Sequence, residues 1–205
     1  MNVVILGASG KIGNFIYQEI SQGNLLPQTK YLILQFNRNK IKKIPSNIQT
    51  KIIKMNILSK KSIKGFVKQL PETIDILINL LSTFEETPYQ TSNEKIEKTI
   101  ISNFLNQIIL LKEMSPKIEN SIIFQFLDVC VNDPYIKKYF WYSVSKSALL
   151  SFFKHLEKYK KNNNLPYKIV YILPKKLKNE DYTKIKNLIS SCLENKDNFV
   201  KNYTI

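Results

Sequence analysis

Residues 3–13, VVILGASGKIG, constrain what this chain can fold into more than any other stretch. The chain holds only 5 glycines in 205 residues, and Gly7, Gly10 and Gly13 fall inside one heptapeptide. The apolar run Val3, Val4, Ile5, Leu6 leads into them, and Ile12, Phe15, Ile16 and Ile20 follow at helical spacing. That order is strand, tight turn, helix, the setting in which a glycine run cradles the pyrophosphate of a dinucleotide. Gly7 permits the sharp turn off the strand, Gly10 lets backbone approach a pyrophosphate, and Gly13 lets helix pack closely on strand. Free N–H groups at the helix start meet the phosphate charge, so Ser9, Lys11 and Ile12 join the glycines as candidate cofactor contacts. The plain alternative is an ordinary strand–turn–helix with chance glycines, and the scarcity of glycine elsewhere weighs against it.

Strand-like and helix-like stretches alternate along the rest of the chain, the pattern of βαβ units. Strands are predicted at 31–36 (YLILQF), 52–55, 74–80 (IDILINL), 121–127, 167–173 and 198–205. Helices are predicted at 59–70, 93–114, 141–159 and 182–193, the second of them apolar at Ile96, Ile100, Phe104, Ile108 and Leu111. With the first strand this gives an α/β fold: a Rossmann-type, doubly wound parallel sheet of about seven strands with helices on both faces. Ligands are then expected at the C-terminal strand ends. No internal repeat and no linker interrupts the pattern, so 1–205 reads as one domain.

Composition removes several classes of function. With 43% hydrophobic residues the chain can fill one core, and no run of 18 apolar residues is present. No signal or transit segment precedes the first strand, so the cytoplasm is the expected compartment and no membrane partner is expected. Cys130 and Cys192 have no metal-ligand spacing, and His155 is the only histidine, which excludes His-based metal sites and Ser-His-Asp triads. The net charge of +15 comes from lysines spread along the whole chain, with no motif that interleaves them with aromatics. No nucleic-acid partner is expected from it, although the field would steer anionic cofactors and substrates.

The end of the second strand bears on cofactor choice. A carboxylate there holds the ribose 2′-OH of NAD, whereas a cation there suits the 2′-phosphate of NADP. The strand ends Gln35-Phe36-Asn37-Arg38 with no acid, and Arg38 is the only arginine among the 31 basic residues. A planar guanidinium suits bidentate phosphate capture, and Lys11 adds a second charge. NADP(H) is the expected cofactor; the bland reading is an exposed Arg after a strand.

Tyr142-Ser143-Val144-Ser145-Lys146 carries the chemistry. At i and i+4 on a helix, Tyr142 and Lys146 share a face one turn apart. An ammonium at that distance would favour the phenolate and bring a phenol, ordinarily near 10, closer to a working range. The alternative is two surface residues on an amphipathic helix.

The sequence resembles the short-chain dehydrogenase/reductase family over nearly its whole length. The matching residues are GASGKIG, Asn79 at the fourth strand's end, Asn103 in the long helix, YSVSK with Ser147-Ala148-Leu149, and Pro174 after the sixth strand. The resemblance implies that Tyr142 exchanges a proton with the substrate oxygen. It implies that Lys146 lowers the Tyr142 pKa and binds the nicotinamide ribose, and that Asn103 holds a water in the relay. It further implies cofactor contacts at Asn56, Ile57, Asn79, Leu80 and Pro174, and an NADP-selecting role for Arg38. In relatives the 93–114 and 141–159 helices form a dimer interface, so a homodimer acting on a small-molecule substrate is implied.

The departures from the family pattern carry information too. The spacing Gly-x-x-Gly-x-x-Gly matches the extended and atypical branches, yet the chain lacks room for the extended branch's substrate domain. Asn79-Leu80-Leu81-Ser82 replaces the usual Asn-Asn-Ala-Gly, and Lys175 replaces the glycine after Pro174. Asp128 stands where the family's catalytic serine is expected, as in pteridine and dihydromonapterin reductases; the competing reading is a strand-end Asp capping a turn. The short segment after Pro174 predicts an open site. Two functions follow: an NADPH-dependent reductase of a carbonyl or C=N group, or an NADP(H)-binding module with weak or lost catalysis that senses or interacts.

Overall fold

The computed structural model describes residues 1–174, 179–194 and 202–204. Seven strands form one parallel sheet: β1 (Asn2–Leu6), β2 (Tyr31–Phe36), β3 (Gln49–Lys54), β4 (Ile76–Asn79), β5 (Ile122–Phe126), β6 (Lys168–Leu173) and β7 (Asn202–Thr204). Their order is β3-β2-β1-β4-β5-β6-β7, so the winding reverses between β1 and β4. A crevice opens at such a reversal, beyond the carboxyl ends of the strands. Leu6 pairs with Asn79, and the Leu80 N–H donates to the Leu6 carbonyl at 3.0 Å. The glycine turn after β1 and the loop after β4 therefore leave the sheet at the same level and wall the crevice together.

The apolar runs form strands because both faces of the sheet are covered. All four residues of β4 are buried. Alternate residues feed two core layers: Val4, Leu6 and Leu77 pack with Ile63, Phe66, Leu110, Leu149 and Phe153 on one side. Val3, Ile5, Ile76 and Ile78 pack with Ile16, Tyr17, Ile20, Ile185 and Ile189 on the other. Helices α1 (Lys11–Ser21) and α6 (Asn179–Glu194) thus cover one face. The second face is covered by α2 (Lys60–Val67), which Ser59 caps by accepting the Ser62 N–H, together with the helices after β4 and β5.

Most expected strands are present with trimmed ends, the helices expected at 141–159 and 182–193 are longer at both ends, and β3 starts before residue 52, its more exposed first residues pairing along β2 at the sheet edge. The part of the expected 198–205 strand outside 202–204, and residues 175–178 after Pro174, lie outside the described residues. One element differs in kind. The expected continuous helix 93–114 is α3 (Asn93–Ile100), a π turn (Ile101–Leu105) and α4 (Asn106–Met114). Its inward face is polar over the first part, where Thr99, Ser102, Asn103, Asn106 and Gln107 are buried and Ile96, Ile100, Phe104 and Ile108 only half-buried, and apolar at its end, where Leu110, Leu111 and Met114 enter the core. The reason is that this element passes beside the crevice and supplies hydrogen bonds to its loops: Asn106 Nδ2 donates to the Ile57 carbonyl at 2.6 Å, and Gln107 Nε2 to the Leu81 carbonyl at 3.0 Å. π turns are common where a helix serves a site. The helix after β5, α5 (Phe140–Asn162), likewise buries polar groups in its first part, Ser143, Ser145 and Lys146, before Leu149, Leu150 and Phe153 enter the core.

Candidate active site

Gly7 turns the chain at φ +77°, a left-handed conformation that side-chain-bearing residues rarely adopt. The turn is braced from below by Gln35, which is buried in β2. Its Oε1 accepts the Gly7 N–H at 2.8 Å, its backbone carbonyl accepts the Ala8 N–H at 3.0 Å, and its Nε2 donates to the Met55 carbonyl at 2.8 Å. A Cβ on Gly13 would lie 2.6 Å from the Gly7 carbonyl oxygen, so α1 packs against the turn at a distance only glycine permits. A Cβ on Gly10 would meet nothing nearer than that same oxygen at 3.4 Å, because Gly10 faces the crevice. No side chain caps α1 and no acid stands in its first turn. Its first N–H groups are open to an anion, beside exposed Lys11.

Ser9, Asn37, Ile57 and Leu80 line this crevice with the glycines. Arg38 is exposed just past β2 and makes no hydrogen bond or ion pair with the described residues. Exposed Lys40, Lys42 and Lys43 follow within the same loop and add to the charge of Arg38 and Lys11. The buried Tyr17 hydroxyl ties the loop down by accepting the Ile44 N–H at 2.7 Å. Asn56 is exposed and does not line the crevice, and its Oδ1 accepts the Leu58 N–H at 3.1 Å. Asn79 also departs from the expected cofactor contact. It is 1% exposed, its Nδ2 donates to Gln107 and Gln125, and its Oδ1 accepts the Leu81 N–H. Its work is internal, because a buried carboxamide must have its hydrogen bonds made. Pro174 ends β6, half-buried.

Tyr142 and Lys146 lie on the inward face of α5, 3% and 0% exposed, so they are not surface residues of an amphipathic helix. The Tyr142 hydroxyl donates to Asp128 Oδ2 at 3.1 Å, while Asp128 Oδ1 accepts the Cys130 N–H at 2.9 Å. Asp128 therefore caps the turn after β5 with one oxygen and holds the Tyr142 hydroxyl with the other. Lys146 Nζ donates to the Leu81 carbonyl at 3.3 Å and sits 5.8 Å from the centre of the Tyr142 ring. Burial pulls the Lys146 ammonium down to about 8, against the opposing pull of Asp128.

The expected lowering of the Tyr142 pKa by Lys146 is not what the geometry gives. Burial, followed by the Asp128 carboxylate, pushes the phenol above its ordinary value, and Ser82 is the group that opposes them. The ammonium lies over the ring and bonds a backbone carbonyl, not the phenol oxygen. Burial, then Asp128, pushes the neighbouring Cys130 thiol up to about 12, so it stays protonated. Asn103 is fully buried and grips Thr83 at two points: Oδ1 accepts its N–H at 2.7 Å and Nδ2 donates to its carbonyl at 2.9 Å. Its side chain thus holds the loop after β4 and has both polar atoms engaged.

Beyond Tyr142 lies a second cleft of ≈ 770 Å³ lined by Phe84, Asp128, Tyr135, Ile136, Lys137, Lys138 and Tyr139. Phe84 stacks on Tyr139 at 4.4 Å between centroids and meets Tyr142 edge-on at 4.8 Å. Burial, then Asp128, pushes the Tyr135 phenol up as well. None of Phe84, Tyr135 and Tyr139 stands in a recognisable motif. The only signal in the sequence is a density of aromatics flanking the Tyr142 segment. A further apolar hollow, between the ends of α4 and α5 near Ile118 and Leu165, lies at the opposite end of the strands from these groups.

The architecture has many solved counterparts. Against the carbonyl reductase Sniffer of Caenorhabditis elegans the TM-score is 0.80 at 16% identity, covering 99% of this chain and 95% of that one. The fold is that of the short-chain dehydrogenase/reductases. A 4-hydroxyisoleucine dehydrogenase complexed with NADH and succinate superposes at 0.77 and 19% identity, covering 99% and 96%. An alcohol dehydrogenase from the archaeon Thermococcus sibiricus, complexed with 5-hydroxy-NADP, superposes at 0.76 and 16%, covering 100% and 96%. No protein-family model and no curated protein matches the sequence itself. The short-chain dehydrogenase/reductase fold accounts for the position of the crevice and of α5; what the chain does depends on its own side chains.

Proposed function

We propose that the chain is an NADPH-dependent short-chain reductase acting on a carbonyl or C=N group, with Tyr142 as the proton donor. The observation that supports it most is the loop 80–83. It walls the dinucleotide crevice on one side and contacts Tyr142 and Lys146 on the other. The residues fit the cofactor: an open cradle at Gly10, uncapped helix N–H groups, and a buried ammonium with one acceptor among the described residues for its three donors. Ser9, Gly10, Lys11, Ile12 and Gly13 would hold the pyrophosphate, Lys146 the nicotinamide ribose, and Ile57 and Leu80 the adenine side. When bound, the reduced nicotinamide supplies the hydride.

The chain's own part is the proton. In the resting protein Tyr142 gives its hydrogen bond to Asp128; with a substrate in the aromatic cleft the O–H turns to the substrate oxygen or nitrogen. Losing that proton leaves a phenolate beside the Asp128 carboxylate, an unfavourable pair of like charges that drives reprotonation. Asp128 would accept from an amino-bearing substrate, as the resemblance to pteridine reductases suggests, so dihydropterins belong in the substrate panel with ketones, aldehydes and quinones. A second reading, a sensor with weak catalysis, is favoured by Asp128 holding the Tyr142 proton in place. It predicts NADPH binding without turnover of any of them.

Two results are expected at the edges of the site. Arg38→Ala should weaken NADPH by about tenfold to a hundredfold, the loss of one charge-assisted bond, and leave NADH nearly unchanged. Equal loss of both in a binding titration would remove Arg38 from the phosphate. We also propose a homodimer through the 93–114 and 141–159 helices. The half-buried Ile96, Ile100, Phe104 and Ile108, with exposed Leu105 and Val144, leave an apolar face that one chain does not cover. Light scattering should return twice the mass of one chain, and a monomer would refute the interface.

A further inference from the structure

Ser82 stands where the dinucleotide crevice meets the aromatic cleft. It lines the crevice, and its hydroxyl donates to the Tyr142 oxygen at 3.4 Å. Among the described residues this is the only hydrogen bond its side chain makes. The backbone on either side of it is fixed. The Leu81 N–H is held by Asn79, the Leu81 carbonyl by Gln107 and Lys146, and Thr83 by the two bonds from Asn103. A short side chain on so constrained a loop has its hydroxyl placed for it.

The requirement at this point is for a donor. As Tyr142 releases its proton, negative charge develops on the phenol oxygen. The residue after β5 that faces it, Asp128, accepts from that phenol and cannot stabilise the charge. Lys146 is directed to the Leu81 carbonyl. Ser82 is the side chain whose hydrogen already points at the reacting atom. A hydrogen bond to a charged oxygen is roughly twice as strong as one to a neutral oxygen, so this contact strengthens as the proton departs. Interactions that strengthen in the transition state are the ones that raise rate. A contact at 3.4 Å in a protein without substrate is of the kind that shortens on complex formation.

We propose that Ser82 is a catalytic residue, donating to the Tyr142 oxygen from the β4 side where Asp128 on the β5 side cannot. The assignment rests on the reductase reading of Tyr142. In the step the Tyr142 O–H bond breaks and the proton passes to the substrate. The electron pair stays on the phenol oxygen, which accepts the Ser82 hydrogen bond, and Ser82 keeps its own proton.

The test needs a readout besides turnover. In the full chain labelled with tyrosine carrying carbon-13 at Cζ, the Tyr142 resonance is assigned by its loss in Tyr142→Phe. It should shift in Ser82→Ala and return in Ser82→Thr; Ser82→Gly serves as a second deletion if alanine disturbs the loop. With NADPH and a carbonyl or C=N substrate that the unmodified chain reduces, Ser82→Ala should lower kcat about a hundredfold, the cost of one donor at a developing oxyanion, with KM for NADPH nearly unchanged. The ionisation that governs kcat should move to higher pH, and Ser82→Thr should restore both. An unmoved Tyr142 resonance, or a loss confined to the KM for NADPH, overturns the assignment. A shifted resonance with no NADPH consumption by the unmodified chain overturns the reductase reading and the catalytic role, and leaves only the contact.

Discussion

Tyr142→Phe is expected to lower turnover with NADPH about a thousandfold while NADPH affinity stays nearly unchanged, since a general acid typically contributes 10²- to 10⁴-fold. The change removes one oxygen and little else. The ring keeps its edge-on contact with Phe84 and its place under Lys146. Asp128 loses one donor but keeps the Cys130 N–H, so the turn after β5 stays capped. Fold and cofactor binding are therefore controls within the same experiment. Steady-state rates and a fluorescence titration of NADPH on one preparation separate the two. Retained turnover would show that another group gives the proton, and lost NADPH binding would show that the phenol oxygen is structural.

Gly13→Ala should be the most damaging single methyl in the dinucleotide loop. The new Cβ would lie 2.6 Å from the Gly7 carbonyl oxygen and 2.7 and 2.9 Å from backbone atoms of Ala8. These are backbone atoms, so no side chain can rotate away. Either α1 slides off the turn or Gly7 and Ala8 move, and their bonds to Gln35 move with them. Overpacking of this kind costs about 1–3 kcal/mol, which for a chain of this size lowers Tm by roughly 2–4 °C per kcal/mol. NADPH affinity should fall with it, because the displaced backbone is the pyrophosphate cradle. Gly10→Ala separates the two effects. Its Cβ meets only the Gly7 oxygen at 3.4 Å, so Tm should hold while NADPH binding falls. Equal behaviour of the two variants in calorimetry and titration would mean that the loop does not divide its work between packing and ligand.

The parts legible in the sequence were those fixed by local chemistry. YLILQF became β2 over the expected residues because an apolar run bounded by polar residues has few other uses in a sheet covered on both faces. The glycine loop declared itself by its spacing between strand and helix, where Gly7 takes a left-handed turn and Gly13 a close helix contact that a side chain would not allow. Tyr142 and Lys146 meet because four residues are one helical turn. The apolar pattern Ile96, Ile100, Phe104 of the 93–114 helix does not reveal which groups face inward: Asn103, Asn106 and Gln107 are buried there because the loops beside the crevice require them as partners. Asn79 was expected at the cofactor and instead bonds Gln107 and Gln125. Its partners lie on two other elements, and no local spacing announces them. The same holds for Gln35 beneath Gly7 and for Ser82 beside Tyr142. Gln35 does leave one trace, a lone polar residue in an apolar strand, where burial demands a hydrogen-bonding reason.

The central claim is that one crevice holds NADPH where Tyr142 can complete a reduction. It is tested most directly by following oxidation of NADPH bound to the purified chain against a panel of ketones, aldehydes, quinones and dihydropterins, with Tyr142→Phe in parallel. The account predicts saturable NADPH binding and oxidation that requires both a panel member and the Tyr142 hydroxyl. Tight NADPH binding with no oxidation by any of them, or with oxidation that Tyr142→Phe leaves intact, would contradict it.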